Sequence, residues 1–527
     1  MALYIGGLGF YSDDWRIMGQ LASWPNQSLS GLMSSYRRLD TMRPFETDYY
    51  AIIYSFAGLT PFPYHVVNGL SFTLAALTLY IALREVTDHR LTSLTVTLIY
   101  ATMPHYSTNR FWIGCFQTNI SMTLCFIAVY LGARAARQEY LRRNVLISLS
   151  VLAAVASTLW YELAVPLLLL APPLVFLAYY TRQQSRSLNT HVLGSFSLFA
   201  LCNTLALAAV VWFKISRTQR AVLPADYLHY VIDLAAGAVT VNYGWYGFAL
   251  PRVMWTIFRN YLAMSALLMA ITVGGVAAIY VYRAVDSYSS IANKIMAART
   301  VVAGIALFVL GYAIFLTNNN VGFTPTGQAN RTAMVAAVGV ALSIVGVGMW
   351  GISFSRSSKS QRLCFCTFIA LYCASGVLIN NTIASFWIAA NHEQQALLAE
   401  IRTEFPVLPS GTSLLLSGAC RYAGPGIVFE SPMELTGALA ALYGDSSLRG
   451  AIVTPAFEVH DDSLSVVVYA REYRFPYGRL VIYNHRSGER VSIDDRAAAE
   501  TFFQTEGGAL RDTCPPSGPE GYGVRIF

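Results

Sequence analysis

The sequence predicts an all-α, multi-pass membrane domain over about residues 1–390 and a small soluble α/β domain over 391–527. Three observations lead there. Of 527 residues, 55% are apolar and only 12% charged, against about 25% charged in an ordinary soluble protein. The deficit comes from apolar runs that recur between about residues 63 and 390, while the tail has soluble composition. Basic residues also return in every second loop, the pattern that sets membrane topology.

The runs at 63–83, 91–104, 116–133, 145–159, 163–180, 192–213, 261–282, 300–317, 332–351 and 363–386 are expected to span as helices. Segment 2–10 is too short to cross alone and is expected to be a partial span or the end of a first helix. Counting it, about ten or eleven crossings are predicted. It lacks the basic start and cleavage pattern of a signal peptide. Residues 145–180 carry one charge, Glu162. A single helix over them would reach about 54 Å, far beyond a hydrocarbon core of about 30 Å. Both flanks are basic, so the segment is expected to be a hairpin with Tyr161-Glu162 at its turn.

Arg84 and Arg90, Arg134 to Arg143, Arg182 and Arg186, Arg283 to Arg299, and Arg356 to Arg362 mark the cytoplasmic loops. The loops 104–115, 160–162 and 318–330 hold Arg110 as their only Lys or Arg. Loops 11–62 and 214–260 and the whole tail then fall on the outer side. Segments 26–40 and 224–240 suit short helices lying on the membrane surface.

In the tail, strands are expected at 413–417, 450–455, 464–470 and 479–484, and helices at 393–403, 432–443 and 495–504. No phosphate loop, nucleophile elbow or metal motif occurs there. Cys420 and Cys514 are the only tail cysteines; a tail outside the cytoplasm allows them a disulfide. The other six cysteines lie in or beside apolar runs and suit small buried hydrophobes. The net charge of +7 sits largely in short loops, so no nucleic-acid partner is expected, and membrane lipids are.

Asp13-Asp14-Trp15 is the most informative feature. Charged groups beside spanning segments are costly and usually functional. Two adjacent carboxylates suit deprotonation of a hydroxyl or capture of a divalent cation, Mg or Mn; they suit a helix cap as well. Arg331 opens a span after an uncharged loop and is the leading phosphate ligand, with interfacial snorkelling as the alternative. Arg43 is expected to contact phosphate or to pair with a carboxylate. Glu162, Tyr161, His65, His105 and Trp15 lie near outer helix ends and are candidate substrate contacts, against anchoring, capping and interfacial hydrogen bonding.

The ordered set Ser12-Asp13-Asp14-Trp15, Arg43-Pro44-Phe45, Pro63-Tyr64-His65-Val66-Val67-Asn68, Pro104-His105, Phe111-Trp112-Ile113-Gly114, Trp160-Tyr161-Glu162 and Asn330-Arg331 resembles the GT-C superfamily of membrane glycosyltransferases. The likeness runs over about residues 8–350 and is to bacterial members of the protein O-mannosyltransferase type, glycosyltransferase family 39. It implies transfer of a sugar from a polyprenyl-phosphate donor to a lipid, glycan or protein acceptor, on the periplasmic face of a bacterial inner membrane. It implies that Asp13 or Asp14 is the catalytic acid-base group, and that transfer inverts the sugar. The sequence departs from the family at Tyr106-Ser107-Thr108-Asn109, where a second acidic motif is absent. A transporter or flippase, or a polymerase, of lipid-linked sugars is the competing expectation.

Overall fold

The computed structural model describes residues 4–37, 43–138, 140–182, 190–216, 226–285, 294–317, 321–355 and 357–506. Tyr4 to Tyr11 forms one 3-10 turn (Ile5–Gly7) and extended backbone, not the end of a spanning helix. Helices α1 (Asp13–Ser23), α2 (Leu29–Arg37) and α3 (Pro44–Ala57) follow, and then α4 (Pro61–Thr87). Proline at the first turn of α3 and of α4 costs no hydrogen bond there, and its fixed φ suits a helix start.

The membrane domain continues through α5 (Arg90–Thr102), the short α6 (Thr108–Phe111), α7 (Phe116–Ala135), α8 (Tyr140–Trp160), α9 (Val165–Arg182) and α10 (Thr190–Ile215). After α11 (Tyr227–Val239), a π-helix (Thr240–Phe248) and α12 (Leu250–Asn260) come α13 (Met264–Val285), α14 (Lys294–Tyr312), α15 (Ala337–Ile352) and α16 (Ser358–Glu404). Among the described residues, seven helices are long and apolar enough to cross a membrane. The remaining expected runs form shorter helices: α5, the apolar stretch Glu162–Phe176 and α15. At 1.5 Å per residue, α5 reaches only about 20 Å and does not span alone. Large apolar side chains such as Leu70, Leu77, Leu152, Leu205 and Leu371 remain exposed along the spans, as a lipid-facing surface requires.

Helices α14 and α15 pack through small residues. A Cβ on Gly339 would stand 2.2 Å from the Phe308 amide nitrogen, and one on Gly304 2.4 Å from the Ser343 hydroxyl. Such backbone approach is how spanning helices gain contact without a hydrophobic driving force.

Residues 145–180 are a hairpin: α8 ends at Trp160, Glu162–Ala164 is a 3-10 turn, and α9 returns. The expected division at 390/391 falls inside α16, whose 47 residues carry the expected spans 363–386 and helix 393–403 as one rod of about 70 Å.

Among the described residues, the tail holds α17 (Pro432–Tyr443), α18 (Arg496–Glu506) and nine strands. They are β1 (Ser413–Ser417), β2 (Tyr422–Ala423), β3 (Gly426–Ile427), β4 (Arg449–Ile452), β5 (Glu458–Val459), β6 (Ser463–Val468), β7 (Arg471–Pro476), β8 (Leu480–Asn484) and β9 (Arg490–Ile493). One sheet has the order β4-β1-β8-β9, with β1 parallel to both neighbours and β9 antiparallel. The strands β5-β6-β7 form a second, antiparallel sheet. Cys420 is disulfide-bonded; Cys514 lies outside the described residues.

Candidate active site

A polar cavity of about 260 Å³ lies where α1, the start of α3, the α6–α7 segment, the α8–α9 turn, the turn before α15 and the C-terminal domain meet. Its lining includes Asp13, Arg16, Arg43, Glu46, Gln117, Thr118, Tyr161, Arg331, Tyr469 and Arg471. The membrane-domain part of this lining comes from loops and helix ends that the charge alternation assigns to one side. At the opposite ends of α4 and α7, Glu85 pairs with Arg134 and Arg137 at 3.3 and 3.2 Å. Two larger clefts, of about 400 and 620 Å³, lie in the C-terminal domain. One lining holds the charged residue Glu489 and the other Arg479 and Asp494, so neither gathers several cations around a carboxylate as the polar cavity does.

Ser12 precedes Asp13 with φ 52°, a left-handed conformation unusual for a non-glycine residue. Its side chain accepts from Gln328 Nε2 at 2.5 Å, which ties this turn to the segment before Arg331. Asp13 lines the cavity; Asp14 does not and is fully buried. The Tyr11 amide donates to Asp14 Oδ2 at 3.1 Å and the Tyr50 hydroxyl to Oδ1 at 3.4 Å. Burial, and next the charge of Asp13, push the Asp14 carboxyl well above the ordinary range, while the Tyr11 amide opposes them.

Arg43 reaches Glu162 at 2.7 Å and Glu46 at 3.8 Å, and its guanidinium stands 4.3 Å from the Tyr161 ring centre. Lys214 binds the other oxygen of Glu162 at 2.9 Å. Glu162 is therefore held between two cations behind the cavity wall rather than in its lining, and it fixes Arg43. Arg331 lies 4.6 Å from the Trp112 ring centre. Among the described residues, Arg16, Arg331 and Arg471 have no carboxylate within ion-pair distance. Uncompensated guanidiniums converging on a cavity suit a phosphate or carboxylate ligand.

Three expected substrate contacts lie elsewhere. Trp15 is buried between Phe10 and Phe429, with ring centres at 5.5 and 6.3 Å. His65 bonds the Gly9 carbonyl through Nε2 at 2.8 Å. His105 bonds the Asn242 carbonyl at 2.9 Å, and burial lowers it to about 3, so its ring is neutral. All three are in the protein interior.

Arg16, Gln117, Thr118, Tyr469, Arg471 and Tyr473 are absent from the sequence-derived candidates. Arg16 had a signal, one helical turn from Asp13 on the same helix. The tail residues had none, because nothing in a sequence joins 469–473 to 13. Among the described residues, no group of three His, Cys, Asp or Glu side chains could hold a metal ion. Asp13 lines the cavity and Asp14 does not, so the two do not present a pair of carboxylates to one cation there.

No protein-family model matches the chain, and no curated protein matches it. Among solved structures, the chain is similar to ArnT from Cupriavidus metallidurans bound to undecaprenyl phosphate, at 11% sequence identity and a TM-score of 0.39. The match covers 85% of this chain and 87% of that one.

Proposed function

We propose that the chain is a GT-C-type membrane glycosyltransferase that transfers a hexosyl or pentosyl group from a polyprenyl-phosphate donor to a lipid, glycan or protein acceptor at the periplasmic face of a bacterial inner membrane. The supporting observation is the convergence of Asp13 with four arginines in one cavity at the ends of the spanning helices.

In this reading Asp13 takes the proton of the acceptor hydroxyl. The acceptor oxygen bonds to the anomeric carbon while the bond from that carbon to the phosphate oxygen breaks. Polyprenyl phosphate leaves with the electron pair, and its growing charge falls on Arg331 and Arg43. Phosphate is already a good leaving group, so the protein's task is a base and fixed cations. Gln117 and Thr118 supply amide and hydroxyl groups for sugar hydroxyls, and Tyr161 a ring face.

The test is release of undecaprenyl phosphate by purified, detergent-solubilised full-length protein from a panel of undecaprenyl-phosphate sugars, with and without EDTA. Release from one donor that Asp13→Asn abolishes and EDTA leaves unchanged is expected. Release that persists in Asp13→Asn would overturn the assignment of the base. Release from no donor, with flipping of the same lipids in liposomes, would replace the enzyme by a transporter.

A further inference from the structure

The cavity lining carries two pairs of arginines with different neighbours. On the membrane-domain side, Arg43 lies over Tyr161 and Arg331 over Trp112. On the C-terminal-domain side, the Arg471 guanidinium stands 5.4 Å from the Tyr473 ring centre; the charges of Arg16 and Asp13 also reach Tyr473, and that of Arg331 reaches Tyr469. The single phosphate of a monophosphate donor requires only one of these pairs. The other pair, Arg16 and Arg471, is exposed and has no carboxylate at ion-pair distance among the described residues.

Arg471 is placed by a tied turn. Strands β6 and β7 pair Val468 with Arg471, leaving Tyr469 and Ala470 as a two-residue turn with φ 53° and 58°. Neither is glycine, so the turn is strained. The Tyr469 hydroxyl bonds Glu430, and it also bonds Gln328 Oε1 at 3.3 Å. Gln328 in turn holds Ser12, the residue before Asp13. The turn is thus anchored to the segments that carry Arg331 and Asp13.

We propose that Arg16 and Arg471 form a second anion subsite that holds an acidic group of the acceptor. This rests on the glycosyltransferase reading. In a displacement, the attacking oxygen and the leaving oxygen lie on opposite faces of the anomeric carbon. Asp13 lies one turn before Arg16 on α1, and the charges of both reach Tyr473 together with that of Arg471, so the attacking hydroxyl and its neighbouring substituents are assigned to this side. The donor phosphate then belongs at Arg43 and Arg331. The acceptor class is a glycan, lipid or peptide with a phosphate or carboxylate beside its hydroxyl, which a guanidinium pair grips by paired N–H bonds. The second phosphate of a diphosphate donor has the same chemistry, so the test separates the two.

The full-length protein is saturated with undecaprenyl phosphate and titrated with inorganic phosphate at constant ionic strength, following intrinsic tryptophan fluorescence. Undecaprenyl diphosphate is titrated separately. The expected result is phosphate binding to the saturated protein that weakens at least tenfold in Arg16→Gln with Arg471→Gln. Undecaprenyl phosphate affinity stays within twofold in that variant, and the diphosphate binds no more tightly than the monophosphate. Arg331→Gln is the converse control, weakening undecaprenyl phosphate and sparing inorganic phosphate. Phosphate that displaces undecaprenyl phosphate, fails to bind, or binds the double variant as it binds the parent would overturn the subsite. A tenfold preference for the diphosphate that the double variant loses would assign the pair to the donor instead. No undecaprenyl phosphate binding, with phosphate binding that needs Arg16 and Arg471, would remove the donor reading and leave the subsite standing. Unchanged gel-filtration elution and melting temperature establish that the variants are folded.

Discussion

Asp13 and Asp14 are sequence neighbours, yet their side chains leave α1 about 100° apart. One faces a cavity with four arginines; the other is sealed inside, bonded to the Tyr11 amide and the Tyr50 hydroxyl. A base must reach substrate, so single variants separate the two. Asp13→Asn is expected to slow release of undecaprenyl phosphate by about 10²–10⁴-fold, the usual worth of a general base. Asp14→Asn, which keeps an acceptor for the Tyr11 amide, is expected to stay within about tenfold of the parent. Equal losses would refute this division. Arg331→Gln removes a fixed charge from the departing phosphate and is expected to lower kcat by about 10²–10³-fold; an unchanged kcat would return Arg331 to a surface role. Glu434 provides a pH test. It is fully buried, and burial first, then the charge of Glu430, raises its carboxyl well above the ordinary range. The folded state therefore holds this proton more tightly than the unfolded one. Its stabilising contribution is complete at acidic pH, below the unfolded value, and is lost as pH rises through the raised value. Glu434→Gln keeps an acceptor for the Glu430 amide, now bonded at 2.8 Å. Its melting temperature is expected to fall less with rising pH than the parent's. Asp14 has the same sign but is common to both proteins, so it cancels in the difference. Parallel melting curves across pH would show that Glu434 does not titrate against the fold.

At the scale of elements, strong local signals are found where the sequence puts them. β1 falls at 413–417, because a buried Ser-Leu-Leu-Leu-Ser run is continuous and apolar; α17 falls at 432–443, because Pro432 starts it and Gly444 ends it in a left-handed conformation. The expected surface helices correspond to α2 and α11. Strand β7 was illegible: Arg-Glu-Tyr-Arg-Phe-Pro is mostly exposed, so it has no apolar face to advertise. The expected span 332–351 starts late, as α15 at Ala337, because Gln328–Ala333 forms a 3-10 turn whose Asn330 amide is bonded by carbonyls of Pro104, His105 and Pro325. The β6–β7 turn places two L-residues in left-handed conformations, each costing roughly 1–2 kcal/mol. Tyr469 has hydroxyl contacts to offset that cost, while no contact of Ala470 is evident that would. Ala470→Gly is therefore expected to raise the stability of the C-terminal domain by about 1 kcal/mol, measured as slower proteolysis or a higher melting temperature. A loss of stability would show that the Ala470 methyl packs usefully.

At the scale of the molecule, the part of the site that was legible is the part carried by one-sided loops. Asp13, Arg43, Tyr161 and Arg331 come from loops sharing one side of the charge alternation, and the fold brings them to one cavity. Trp15, His65 and His105 sit near the same helix ends, but which way they face depends on helix rotation, and loop charges do not encode that. Nor did composition show that the tail closes the cavity. One core joins the two parts: Trp15, Met18, Trp387, Leu397, Leu414, Leu435 and Leu439 belong to the same buried cluster. The rod α16 runs through it and grips the tail, with Gln394 donating to the Val428 carbonyl at 2.6 Å and Glu400 bonded to Tyr483 and His485 at 2.5 and 2.6 Å. Helices α1 and α17 meet at glycines. A Cβ on Gly437 would stand 2.2 Å from the Trp15 carbonyl oxygen, and one on Gly19 2.2 Å from that of Gly437. Both obstacles are backbone and cannot swing aside. Gly437→Leu must push α17 away from the helix that carries Asp13 and Arg16, and with it Met433 at the cavity wall. Overpacking of this kind costs about 1–3 kcal/mol, too little to unfold the spans. The expected outcome is unchanged helical circular dichroism and membrane insertion, faster amide exchange in α1, and at least tenfold slower sugar transfer. Transfer at the parental rate with faster exchange in α1 would mean that the C-terminal domain covers the cavity without helping to build it.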